Sequence, residues 1–153
     1  MWSYRATLDR VIDGDTVDLN IDLGFHVWFN STRVRLRRVD TPEKRTTDLL
    51  EKHFGYLATD FVLDKLINAK KITVRTVIDG RQDKYGRILG EITVDDEAVS
   101  LNDQLIEKRY AVSYEGQNKS SVAAQHINNY KYLVESGETT LTEDLQILFN
   151  QLP

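Results

Sequence analysis

The sequence has no cysteine. That excludes disulfides and thiolate metal sites, so any metal must be held by oxygen or imidazole. Histidine is scarce. His26, His53 and His126 stand far apart without metal-site spacing, and they read as surface or core residues rather than ligands or a general base. No stretch is long and apolar enough to span a bilayer. Residues 1–12 alternate, carry charge and lack the apolar centre of a signal peptide. The expectation is a soluble monomer of the cell interior with no membrane partner. No repeat, low-complexity tract or Pro/Gly linker divides the 153 residues, which suit one domain, 1–153.

Hydrophobic residues make up 41% of the chain, enough for one core, and charged residues make up 29%. The net charge of −4 argues at first against a polyanionic partner. Its distribution argues otherwise, because residues 1–90 hold 16 Lys and Arg against 13 Asp and Glu, whereas residues 91–153 hold 4 against 11. The basic side chains gather in the first part, from Arg33, Arg35, Arg37 and Arg38 through Lys70 and Lys71 to Arg81, Lys84 and Arg87. A local basic surface can hold phosphate on an acidic protein. A solvated charged face is the plainer meaning of such runs.

Residues 4–12 read as a strand, Asp13-Gly14 as a turn, and 15–23 as a second strand. In the second, Val17, Leu19, Ile21 and Leu23 share one face and Asp18, Asn20 and Asp22 the other. Residues 25–29 and 32–39 form a third strand or a bent pair, which Asp40-Thr41-Pro42 ends. A helix follows, opened by the capping-box-like pair Asp48 and Glu51, with Leu50, Phe54, Leu57, Ala58, Phe61, Val62 and Leu66 as its core stripe. Residues 71–78 and 87–94 are two more strands around a polar turn at 79–86. Ser100 caps a helix to Arg109, 119–135 is a weaker helix, and Thr140 with Glu143 caps a last one over 141–149. Trp2 and Trp28 lie in strands and read as core or barrel-edge residues rather than base-stacking platforms. Five short strands interrupted by a helix predict an α+β domain: a five-stranded Greek-key barrel of the OB type with about three packed helices.

Two acids carry the chemical argument. Asp15 begins the second strand and Asp40 ends the third run, so the two meet if the antiparallel ribbon turns near residues 27–28. Asp15 also has the parity of Val17 and Leu19. A carboxylate on the apolar side must be paired or bind a cation. Arg35 on the neighbouring run is one available partner. Two converging acids without His or Cys suit a hard cation, Ca²⁺ or Mg²⁺. Glu43, beyond Pro42, could reach a water above such a cation. Arg35 and Arg87 offer bidentate contact to phosphate oxygens.

Taken together, Val11-Ile12-Asp13-Gly14-Asp15-Thr16-Val17, Arg35 through Glu43, and Asp83-Lys84-Tyr85-Gly86-Arg87 resemble the three signature segments of the staphylococcal (thermonuclease-type) nuclease family. The resemblance spans about residues 4–115, and Tyr4 through Glu43 is similar to the phage-encoded and bacterial intracellular branch. It implies an OB-fold, Ca²⁺-dependent hydrolysis of DNA and RNA, single strands preferred, 3′-phosphate products, and the cytoplasm of a bacterial or phage-infected cell. By motif position it implies Asp15 and Asp40 as Ca²⁺ ligands through carboxylates and Thr41 through its carbonyl. Glu43 becomes the general base or water orienter, and Arg35 and Arg87 bind the scissile phosphate. Lys84 and Tyr85 contact a terminal phosphate and nucleotide, and Asp13 lies near the metal outside its ligand set. A phosphate-contacting tyrosine matches Tyr114, with Tyr110 competing. Residues 116–153 diverge: the family's last helix is lysine-rich, and here it is acidic and apolar, a differently packed helix or a partner-docking one.

Two other functions compete. One is a non-catalytic OB module binding single-stranded nucleic acid or a protein. The other is a Mg²⁺ nuclease of the D…ExK type, for which neither Glu51-Lys52 nor Glu43-Lys44-Arg45 supplies the required acid-x-Lys strand.

Overall fold

The structure is a computed structural model describing residues 2–76 and 87–153. The chain forms β1 (Trp2–Asp13), β2 (Thr16–Asp22), β3 (Trp28–Leu36), β4 (Val39–Asp40), α1 (Leu49–Ile67), β5 (Ile72–Thr76), β6 (Ile88–Val94), α2 (Leu101–Glu107), β7 (Val112–Ser113), α3 (Lys119–Glu135) and α4 (Glu143–Asn150). Five strands close a barrel in the order β1-β2-β3-β6-β5. All its ladders are antiparallel except β3–β6, where Val34 pairs with Ile88. Closure gives each of these strands a partner on both sides for part of its length. This is the OB-type barrel that the strand pattern predicts.

The alternation of β2 sets the core. Val17 and Leu19 are fully buried, and Val34, Leu36, Val62, Val74, Ile92, Leu101 and Leu105 pack with them. Burying each such side chain contributes about 1.5–3 kcal/mol. On the opposite face of β2, Asp18 is buried beneath Arg10 and Arg33. Leu23, expected on the core face, is exposed because β2 has already ended in the turn that begins there. Trp2 and Trp28 sit at strand ends, largely exposed, on the barrel edge.

Residues 28–36 form one bent strand, with Ser31 in the left-handed region and a register shift opposite it between Leu19 and Ile21. Residues 37–40 do not continue it. Arg38 has a positive φ, and the chain turns to pair Asp40 with Val112 in a small separate sheet, β4–β7.

Helix caps follow the sequence with two exceptions. Asp48 accepts from the Leu50 and Glu51 amides, but Glu51 does not return to the cap; its carboxylate accepts from the Glu43 amide at 3.3 Å. The last helix is capped by Thr142, not Thr140, because Thr142 Oγ1 is the oxygen that accepts from the Leu145 amide. Ser100 caps α2 as expected, and Arg109, at φ 67°, ends it before Arg109 can join. A second apolar cluster joins α1, α3 and α4 through Leu50, Phe54, Tyr130, Leu133, Leu145 and Phe149, with Phe54 stacked on Tyr130 at 4.1 Å.

Candidate functional site

The site forms where the β1–β2 turn meets the segment after β3. Glycine 14 makes that turn close. A Cβ on it would lie 2.7 Å from Ala58 Cβ and 2.9 Å from Thr41 Cγ2, so only glycine fits between α1 and the Thr41 segment. Asp15, 8% exposed, follows directly. Its Oδ2 accepts from the Thr41 amide at 3.1 Å and its Oδ1 from the Thr16 hydroxyl at 3.0 Å.

The β2–β3 ribbon turns nearer residue 25 than 27–28, since Asp22 pairs with Trp28 and Thr16 with Arg35. That register sets Leu36, not Asp40, across from Asp15, and the Leu36 amide donates to the Asp15 carbonyl. The turn at Arg37-Arg38 then brings Asp40 back. The two acids converge on one guanidinium: Arg35 Nη2 lies 3.4 Å from Asp15 Oδ2 and 3.7 Å from Asp40 Oδ1. Arg35 is held in place by donating to the Leu36 carbonyl at 2.9 Å.

Glu43 is set by a second close approach. A Cβ on Gly55 of α1 would lie 2.8 Å from the Glu43 carbonyl oxygen and 2.9 Å from the Lys44 amide nitrogen. Lys44 staples the same segment by donating to the Ile12 carbonyl at 2.9 Å, with its ammonium over the Tyr56 ring. Burial, then the charges of Asp15, Asp13, Asp40 and Glu51, push the Glu43 carboxyl above its ordinary pKa. Asp13 adds a buried Oδ1 without a hydrogen-bond partner.

Arg87 immediately precedes β6, one residue before the register partner of Val34. Tyr114 follows β7, partly exposed, its amide donating to the Arg38 carbonyl, whereas Tyr110 packs its ring against Phe61. Lys84 and Tyr85 lie outside the described residues. His126 was read as a surface or core histidine. It is buried, and its Nε2 lies 2.8 Å from Asp40 Oδ2, a contact 86 residues apart that no local motif announces.

Four acids thus share a small volume with one arginine between two of them. Among the described residues, no three His, Asp or Glu side chains form a ready metal-ligand cluster. What the site offers a cation is two carboxylates already drawn around a positive group, and an orphaned carboxylate oxygen. Hard, oxygen-preferring divalent ions fit that donor set. Among the described residues, no helix is long and apolar enough to cross a membrane.

A closed barrel of OB type carrying an acid-rich, arginine-bearing site defines the class: an OB-fold domain whose converging carboxylates suit a hard cation. The chain belongs to the family of staphylococcal nuclease homologues, whose model matches residues 33–137. It is similar to endonuclease YhcR of Bacillus subtilis, 32% identical over 116 residues, covering 72% of this chain and 9% of that protein. It is also similar to an uncharacterized endonuclease of Escherichia coli, 30% identical over 113 residues, covering 74% and 63%. The SPbeta prophage-derived endonuclease YokF of B. subtilis is 32% identical over 94 residues, covering 61% and 29%. The matched region therefore spans less than two thirds of each of these relatives.

Proposed function

We propose that the chain is a Ca²⁺-dependent nuclease that hydrolyses phosphodiester bonds of DNA and RNA, preferring single strands. The observation that supports this most is the convergence of Asp15 and Asp40 on one cationic group, with Glu43 beside them. In this reading Asp15, Asp40 and the Thr41 carbonyl hold Ca²⁺, and Asp13 adds negative charge nearby. The bound ion supplies neutralisation of charge on the phosphate.

The chain's own groups do the rest. A carboxyl pushed upward is a better proton acceptor than an ordinary glutamate, so Glu43 orients a water and takes its proton as the water oxygen bonds to phosphorus. The bond from phosphorus to the 5′ oxygen breaks, leaving a 3′-phosphate and a 5′-hydroxyl. Arg35 and Arg87 hold the phosphate oxygens through the charge build-up, and Arg87 assists the leaving oxygen. Lys84 and Tyr85 contact a terminal phosphate and nucleotide, and Tyr114 contacts phosphate.

The test uses labelled single-stranded oligonucleotides with Ca²⁺, Mg²⁺ or chelator, and analysis of product ends. Cleavage with Ca²⁺ that stops on chelation and leaves 3′-phosphates is expected. Binding that weakens with salt yet leaves strands uncut under every divalent ion would instead assign a non-catalytic module. Cleavage favouring Mg²⁺ would overturn the choice of ion.

A further inference from the structure

His126 stands on α3, within the residues 33–137 that the family model matches. It is 7% exposed, and its Nδ1 is buried without a hydrogen-bond partner. Its hydrogen bond is therefore the one to Asp40 Oδ2 at 2.8 Å, made by donating Nε2–H to the carboxylate. The other oxygen of Asp40, Oδ1, is the one that faces Arg35 and, across it, Asp15. One oxygen is held from the helix side, and the other is presented to the centre of the site.

The helix that carries His126 is docked firmly. One turn on, Tyr130 stacks on Phe54, and Leu133 is fully buried in the second core cluster. Asn129 donates to the Ala111 carbonyl, next to the residue that pairs with Asp40 in β7. A carboxylate on a short two-residue strand has little backbone to fix it. The imidazole supplies what the strand does not.

We propose that His126 is a positioning residue for Asp40, so that α3 is part of the cation site rather than an appendage to the barrel. This rests on the reading of Asp40 as a cation ligand. Groups that hydrogen-bond to ligating carboxylates set ligand orientation, and removing one typically costs about 10–100-fold in metal affinity.

The experiment measures Ca²⁺ affinity by calorimetry on the full chain, with the melting temperature of the metal-free protein as a parallel readout. His126→Leu keeps bulk and removes the donor. His126→Gln places an amide N–H where Nε2 stands, and His126→Asn places it where Nδ1 stands; neither depends on an apolar replacement being tolerated. Leu133→Ala loosens the same helix without touching Asp40. The expected result is Ca²⁺ binding weakened about 10–100-fold in His126→Leu and His126→Asn, with His126→Gln close to wild type. Leu133→Ala lowers the melting temperature and leaves Ca²⁺ affinity unchanged. The proposal is overturned if Asn and Gln bind Ca²⁺ equally, or if Leu133→Ala weakens binding as much as His126→Leu. A wild-type protein that binds no Ca²⁺ overturns it through the cation site itself, a failure visible before any variant is made.

Discussion

Asp15, in the turn before β2, and Asp18, within it, lie three residues apart, both buried, and each faces arginine. Asp18 is closed. Arg33 reaches both its oxygens, at 2.9 and 3.1 Å, and Arg10 adds a contact at 2.9 Å, both arginines lying out toward solvent. The hydrogen bond from Arg33 leads in holding the Asp18 carboxyl below its ordinary value. Asp15 is open. It shares one arginine with Asp40 at 3.4 and 3.7 Å, and Asp13 and Glu43 add further negative charge. The same residue types thus give two results. One acid with two arginines is neutralised and structural. Two acids that share one arginine, with Asp13 close by, leave Glu43 in negative surroundings that a divalent ion would relieve, and burial first and that charge second push its carboxyl upward.

The sharpest way to break this contrast is at Glu43. Glu43→Gln keeps the size of the side chain and removes the proton acceptor, and cleavage in single-turnover assays should fall about 10²–10⁴-fold. An unchanged rate would remove Glu43 from the mechanism. Arg35→Lys tests the shared cation. Lysine keeps the charge but not the planar fork that spans two acceptors, so kcat should fall about 10²–10³-fold, as for loss of a positioned donor to the transition state. A rate near wild type would mean that charge alone suffices at that point.

The barrel was legible in the sequence because its evidence is periodic. Val17, Leu19 and Ile21 mark a strand face, and Ser100 marks a helix start, without reference to anything distant. The convergence of Asp15 and Asp40 was legible in outcome but not in route. The ribbon turns two to three residues earlier than expected, and a left-handed Arg38 makes up the difference; a positive φ at arginine has no local signature. Asp18 lies on the face opposite the core, as the alternation has it, but alternation does not show that two long arginine stems bury it there. His126 and Gly55 were invisible for another reason. Their roles depend on helices packing against segments that lie 86 and 12 residues away in the chain.

Gly55 supplies the third prediction. Alanine normally favours a helix interior over glycine by about 1 kcal/mol. Here its Cβ would press on the Glu43 carbonyl, so Gly55→Ala should displace Glu43 and lower kcat by up to about 10²-fold, with Ca²⁺ affinity less affected. A faster or unchanged enzyme would show that the segment carrying Glu43 yields without consequence.

The smallest effect separates the two clusters by sign. Asp18 has a folded-state pKa below its ordinary 3.8, so its ion pairs add stability that is fully present above that value and lost as pH falls through the lower folded-state one. Asp18→Asn should therefore cost about 1–2 kcal/mol at neutral pH, a figure kept small because both arginines are well solvated. The difference from wild type should close in acid, and cleavage should be unaffected. Glu43 runs the other way. Its folded-state pKa lies above the ordinary 4.5, so its ionised form weakens the metal-free fold above the raised value, and protonation removes that penalty as pH falls. Metal-free Glu43→Gln should thus melt above wild type at neutral pH and lose the advantage in acid. Denaturation curves across pH for the two variants read both signs at once. If Asp18→Asn and Glu43→Gln both destabilised at neutral pH, the site around Asp15 would be a closed cluster like that around Asp18, and the excess of negative charge inferred for it would not exist.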